Sequence, residues 1–208
     1  MFTLPCIVLS LIVLEVNSHG MMLNPPGRSS LWRFDQDAPI NYGDNQLFCG
    51  GLWTLWGINK GNCGVCGDVY TDPHPQANEN TGIYGTGTIV GEYKAGEVIE
   101  TSVLLTANHR GHFEYHICEI TDSSQPESGE ECFVALQFEN GDDKFQISSD
   151  MKEITNRIQL PADFTCNHCV LRWHYRAGNN WGVCENGTGA VGCGPQEYFR
   201  SCADIRIV

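Results

Sequence analysis

Beyond about residue 82 the chain is written in short runs of β-branched and aromatic residues. Runs at 86–93, 98–106, 113–120, 133–138, 154–160, 170–176 and 199–207 have strand length, and turn signals such as Lys94-Ala95-Gly96 and Glu139-Asn140-Gly141-Asp142 separate several of them. Helical periods are nearly absent. Seven short strands at this spacing predict an all-β fold, an antiparallel β-sandwich of immunoglobulin/fibronectin-like type. From residue 19 to about 82 the pattern reads as loop, broken by Pro25-Pro26-Gly27, Asn41-Tyr42-Gly43-Asp44 and Cys49-Gly50-Gly51. Only 46–56, with Leu47, Trp53 and Trp56, offers an imperfect helical stripe. These long N-terminal loops are expected over the edges or one end of the sandwich, with disulfides compensating for the little apolar surface they bury.

One longer apolar run opens the chain, from Met1 to Leu14, followed by Glu15-Val16-Asn17-Ser18. It is too short for a comfortable bilayer span and no basic flank follows it, so residues 1–18 read as a secretory signal peptide, although no Lys or Arg precedes the apolar stretch. Cleavage after Ser18 leaves a single domain, 19–208, that begins with His19. The expected product is secreted and extracellular, a monomer with no membrane association once the leader is gone.

The cysteines agree with that compartment. Of 11 in the sequence, Cys6 leaves with the leader. Cys49, Cys63, Cys66, Cys118, Cys132, Cys166, Cys169, Cys184, Cys193 and Cys202 remain, an even set that predicts five disulfides. Two CxxC pairs, Cys63/Cys66 and Cys166/Cys169, lie too far apart for a zinc ribbon. Spacing leaves the pairing open. Asn186-Gly187-Thr188 is a candidate glycosylation site on a surface loop. Asp and Glu number 25 against 12 Lys and Arg, a formal charge of −13, which argues against nucleic acid as a partner. No pair of carboxylates stands out as a glycosidase would require.

The chemistry-bearing residues are histidines. Processing makes His19 the first residue, and an N-terminal histidine offers both its α-amine and its ring Nδ1 to one metal ion. Such nitrogen donors suit copper. A second ligand is available in Thr106-Ala107-Asn108-His109-Arg110-Gly111-His112-Phe113-Glu114-Tyr115-His116, where His109 follows a strand end. His112 and His116 fall on one parity of the next strand and are expected either beside acidic partners or away from the metal.

His19-Gly20, the Ala107-x-His109 element and the segment Tyr198-Phe199-Arg200-Ser201-Cys202-Ala203-Asp204 together resemble the lytic polysaccharide monooxygenases, most closely their auxiliary-activity group fifteen. The resemblance spans 19–208. It implies one copper ion, cycling between Cu(II) and Cu(I), held by the amine and Nδ1 of His19 and a ring nitrogen of His109. It further implies Ala107 crowding one axial face and Phe199 closing the other, with Tyr198 the alternative, since neighbours on a strand face opposite ways. It implies an external electron donor, O2 or hydrogen peroxide as co-substrate, and oxidative cleavage of insoluble β-1,4-linked polysaccharide, chitin or cellulose, at C1 or C4. Exposed aromatics from 28–32 and 42–56 would hold the polymer. Trp173 and Tyr175 would either back the copper or serve as core aromatics, and Trp181 would pack a turn. The competing reading is a non-catalytic secreted carbohydrate-binding module.

Overall fold

A computed structural model describes residues 19–208; the expected leader, 1–18, lies outside the described residues. Along the chain run β1 (His19–Asn24), β2 (Gly91–Tyr93), β3 (Val98–Ala107), β4 (His112–Glu119), β5 (Val134–Phe138), β6 (Phe145–Gln146), β7 (Glu153–Gln159), β8 (Cys166–Arg176), β9 (Trp181–Val183), β10 (Gly189–Val191) and β11 (Tyr198–Ile207). Hydrogen bonding orders them β1-β3-β7-β5-β4-β8-β11-β2, with β6 beside β4 and β9–β10 a separate hairpin. The sheet curls at β5, which pairs with β7 on one side and β4 on the other. The two halves enclose a shared core, the sandwich the sequence predicts.

Alternation explains the curl. In β3, Ile99, Thr101, Val103 and Leu105 point inward while their neighbours remain wet, and in β4 the inward set is Phe113, Tyr115 and Ile117. β8 and β11 are buried on both faces, because the N-terminal loops cover their outer side. There Cys49, Leu55 and Cys63 pack with Trp56 and Tyr198, and Val65 and Cys66 pack with Val170 and Cys202. Five disulfides form, as expected: Cys49–Cys63, Cys66–Cys202, Cys118–Cys132, Cys166–Cys169 and Cys184–Cys193.

Four features depart from the sequence reading. Residues 19–24 form an edge strand rather than loop, because β3 supplies a partner that Gly and Met, weak strand formers, do not announce. The run at 86–93 is strand only over Gly91–Tyr93, and it pairs parallel to β11, the one exception among the described pairings to an antiparallel sheet. The helical stripe at 46–56 becomes a π-helical turn over Trp53–Ile58. The hairpin β9–β10 and the short β6 carry too few residues to show a period.

Candidate metal centre

β1 and β3 pair so that His19 stands opposite Ala107, with Gly20 opposite Leu105. His109 lies two residues beyond Ala107, about 7 Å of extended chain, so the edge of this sheet brings the predicted N-terminus to the strand end that carries the second histidine. Gly20 is what permits the approach. A Cβ there would lie 2.7 Å from Leu105 Cδ2 and 3.0 Å from Trp173 Cη2. The Gly20 N–H also donates to Asn45 O at 3.1 Å, and Asn45 Nδ2 donates to Thr106 Oγ1 at 2.9 Å, which ties the loop around residues 41–48 to both strands.

The turn after β3 fixes His109. Asn108 Nδ2 donates to the carbonyls of Ser148 and Met151, and Asn108 Oδ1 accepts the Arg110 N–H at 2.7 Å. Gly111 then turns the chain at φ 90°, where its missing Cβ would strike Arg176 O. The His109 N–H donates to Tyr175 Oη at 3.1 Å and its carbonyl accepts the Gly178 N–H at 2.9 Å. Its ring is buried, with Asn179 Nδ2 at 2.9 Å and Glu197 Oε2 at 3.6 Å from Nδ1. Nε2 is the ring nitrogen left for a metal.

Beneath the two histidines lies a stack of aromatics. Trp173 and Tyr175 are stacked at 5.9 Å, and Tyr175 packs on Phe199 at 5.6 Å, which in turn meets Phe48 at 6.2 Å. All of Trp173, Tyr175 and Phe199 are fully buried. Phe199 is therefore on the same side as Tyr175, one ring from the His109 amide. Tyr198 faces the other way, against Trp56 at 5.7 Å and His174 at 5.0 Å. His112 and His116 do not join the site. His112 Nε2 lies 3.0 Å and His116 Nε2 3.9 Å from the Glu114 carboxylate, on the outer face of β4.

Several expected substrate contacts are redistributed. Arg28 is buried, donating to both carboxylate oxygens of Asp204 and to Glu127 at 2.6 Å, so it faces no ligand. Trp32 meets Tyr42 edge-on at 5.5 Å, with Arg33 stacked over its indole and paired to buried Asp44. Tyr42 is 83% exposed and Trp53 77%. Glu197 and Asn179 were missed as partners of His109. The sequence signal for Glu197 was its parity with Phe199, two residues on.

Among the described residues, no three or more His, Cys, Asp or Glu side chains cluster as a metal site. A centre built on His19 and His109 thus reaches three nitrogens only with the His19 amine. That donor set, all nitrogen and incomplete, fits copper. The cavity beside His109 is small, about 250 Å³, lined by Asn108, Gly178, Asn179 and Val191. A polar cavity of about 500 Å³ between 61–65 and 127–131 includes none of the predicted ligands.

Residues 19–205 match the family described as lytic polysaccharide mono-oxygenase, cellulose-degrading. The chain is similar to the group-fifteen lytic polysaccharide monooxygenase of Thermobia domestica, solved in its Cu(I) state, at 41% identity over 91% of this chain and 98% of that one, with a TM-score of 0.87. It shares its fold with LPMO10B of Micromonospora aurantiaca at 13% identity, over 90% of this chain and 99% of that one, with a TM-score of 0.50. No curated protein sequence matches. The chain belongs to the lytic polysaccharide monooxygenases, group fifteen, and is a copper-dependent oxidoreductase that cleaves polysaccharide oxidatively.

Proposed function

We propose that the chain is secreted, loses residues 1–18, and as a monomer beginning at His19 cleaves insoluble β-1,4-linked polysaccharide, chitin or cellulose, at C1 or C4. The observation that supports this most is the β1–β3 register, which sets His19 opposite Ala107 and two residues from His109. In this reading the amine and Nδ1 of His19 and Nε2 of His109 hold one copper ion. Bound copper supplies one-electron redox chemistry and oxygen activation, drawing on an external electron donor and on O2 or hydrogen peroxide.

The chain's own residues do the positioning. Glu197 and Asn179 orient the His109 ring, as outer partners of metal-bound histidines do. Phe199 would close the inner side of the centre without offering an oxygen, and Ala107 would crowd it from the end of β3. Tyr42, on the loop tied to Gly20 through Asn45, presents an aromatic face to the polymer. Family membership sets aside the non-catalytic module.

Electron paramagnetic resonance with one equivalent of Cu(II) tests the ligand set. Processed protein is expected to show a three-nitrogen signal that is lost when one residue is added before His19. Mass spectrometry of soluble products from chitin and from cellulose, with and without reductant, identifies the polymer and the oxidised carbon. Products released without reductant, or copper binding indifferent to the added residue, would contradict the reading.

A further inference from the structure

We propose that Asn186 carries an N-linked glycan and that its first N-acetylglucosamine sits in the groove between the tip of the β9–β10 hairpin and the ends of β4 and β8. The inference rests on the secreted reading above, because this modification belongs to surface loops of secreted chains. It adds a modified residue and a sugar site to that reading.

The acceptor is presented at the hairpin tip. Asn186-Gly187-Thr188 is the one Asn-x-Ser/Thr sequon of the sequence, and all three residues are exposed in the loop that joins β9 to β10. Gly187 turns the chain at φ 82°, and a Cβ there would meet nothing within 4 Å, so the tip stands in open space. Thr188 donates to Asn186 Oδ1 through its N–H at 3.0 Å and its hydroxyl at 2.7 Å. Both contacts hold the oxygen, and Nδ2, the atom that bonds to sugar, has no partner among the described residues. The Cys184–Cys193 disulfide and the Cys184 N–H, which donates to Thr188 O at 2.7 Å, fix the base of the loop.

In the transfer, Asn186 Nδ2 forms a bond to C1 of an oligosaccharide carried on a lipid diphosphate. The bond from C1 to the diphosphate oxygen breaks, the lipid diphosphate leaves with that electron pair, and the amide nitrogen gives up one proton.

The attached sugar emerges onto a groove of about 680 Å³ that Asn186 itself lines, together with Val183, Glu185, His112, Lys144 and Arg176. That volume is of the size of small-molecule sites. The floor is fixed, since Arg176 donates to the Gly192 carbonyl at 3.3 Å and to the Gly194 carbonyl at 2.9 Å. The walls match an N-acetylated pyranose. Lys144 Nζ lies 3.3 Å from Glu114 Oε1, and an ammonium with three N–H donors keeps others for hydroxyl and acetamide oxygens. Glu185 can accept from sugar hydroxyls, and Val183, 59% exposed, offers an apolar contact to the acetyl methyl or the C–H face of the ring. Because the sugar is tethered beside the groove, its contacts act at high effective concentration and modest ones suffice. Asn179 and Val191, at the other end of the hairpin, line the cavity at His109, so the glycan stands at the end remote from the metal centre.

The experiment is secretory expression of the full chain in eukaryotic cells, comparing wild type, Asn186→Gln, Thr188→Ala and Thr188→Ser by N-terminal sequencing and intact mass of the protein in the medium. Wild type and Thr188→Ser are expected to carry the added mass of an oligosaccharide, and Asn186→Gln and Thr188→Ala to lack it. Hydrogen exchange over 183–192 is then compared between Asn186→Gln and wild type trimmed by an endoglycosidase to a single N-acetylglucosamine. The trimmed protein is expected to exchange about fivefold more slowly, as one added hydrogen bond slows local opening, and Lys144→Ala is expected to remove most of that difference. Wild type that reaches the medium with His19 first and no added mass overturns the inference and leaves the secreted reading standing. A glycan present with equal exchange in the two forms overturns the groove site. A chain that stays inside the cell with residues 1–18 attached overturns both readings.

Discussion

A histidine can present only one ring nitrogen to a metal when the other is engaged, and at His109 the engaged one is Nδ1, facing Asn179 and buried Glu197. Glu197→Ala removes the carboxylate that holds the ring's orientation. Copper affinity is expected to fall about 10–100-fold, as on loss of an outer partner of a metal-bound histidine, with titration calorimetry as the check and unchanged affinity as the contrary result. The sequence offers His19 and His109 as the pair, and the β1–β3 register sets His19 opposite Ala107, two residues before His109. Strand parity allows only one of Tyr198 and Phe199 to face inward, and the family resemblance points to Phe199; the structure packs Phe199 on Tyr175, on the inner side. Glu197 and Asn179 were not legible as partners. They reach His109 from 88 and 70 residues away, through a hairpin that no local pattern announces.

At the scale of elements, β1 is the strand on which the proposed centre depends. It lies at the sheet edge, held by β3 alone on its hydrogen-bonded side, and its approach to Trp173 depends on Gly20. Gly20→Ala forces a methyl group against Leu105 and Trp173, neither of which has free space in the core. The variant is expected to lose about 1–3 kcal/mol of stability by overpacking, measured by urea unfolding, and to broaden the copper spectrum because His19 moves with its neighbour. A variant as stable as wild type would show that β1 yields at little cost. Strands with clean alternation, β3, β4 and β7, were read correctly because one face is wet. β1 escaped notice because Gly20 and two methionines carry no strand signature, and 86–90 was over-read because its β-branched residues form no ladder beyond the Val90 N–H, which reaches Asp204 O on β11.

Over the whole molecule, the outer face of β4, β8 and β11 holds a dense layer of ionisable groups under the N-terminal loops. Burial, together with the nearby Arg172 and Arg200 charges, lowers the His116 ring to about 4, and burial with the Arg200 and Arg172 charges holds His174 well below its ordinary range. Both are neutral when folded, whereas in the unfolded chain they take up protons near pH 6.5. Their contribution is therefore complete above about pH 6.5 and is lost as pH falls towards about 4, where unfolding is drawn on by proton uptake. Glu114, bonded to His112 and beside Lys144, is held down to about 2. Its contribution is present above about 4.5 and lost only as pH falls through about 2. Urea midpoints measured between about pH 7 and pH 4 are expected to fall steadily, and a flat profile would show that these rings are solvated.

The same outer layer fastens distant parts of the chain. Arg28 joins Asp204 and Glu127, His168 Nε2 lies 2.7 Å from Asp204, and Cys66 is bonded to Cys202. Although burial pushes the Asp204 carboxyl up, Arg28 and His168 bring it below its usual range. β11 consequently supplies Phe199 to one side and the anchor of the N-terminal loops to the other, while sitting between β8 and β2.

That placement has a consequence for biosynthesis. The first and last strands of the domain meet the same aromatic stack, so the stack is complete only when all of 19–207 has been made. Oxygen-activating chemistry is thereby withheld from the nascent polypeptide until the last strand of the domain has been made.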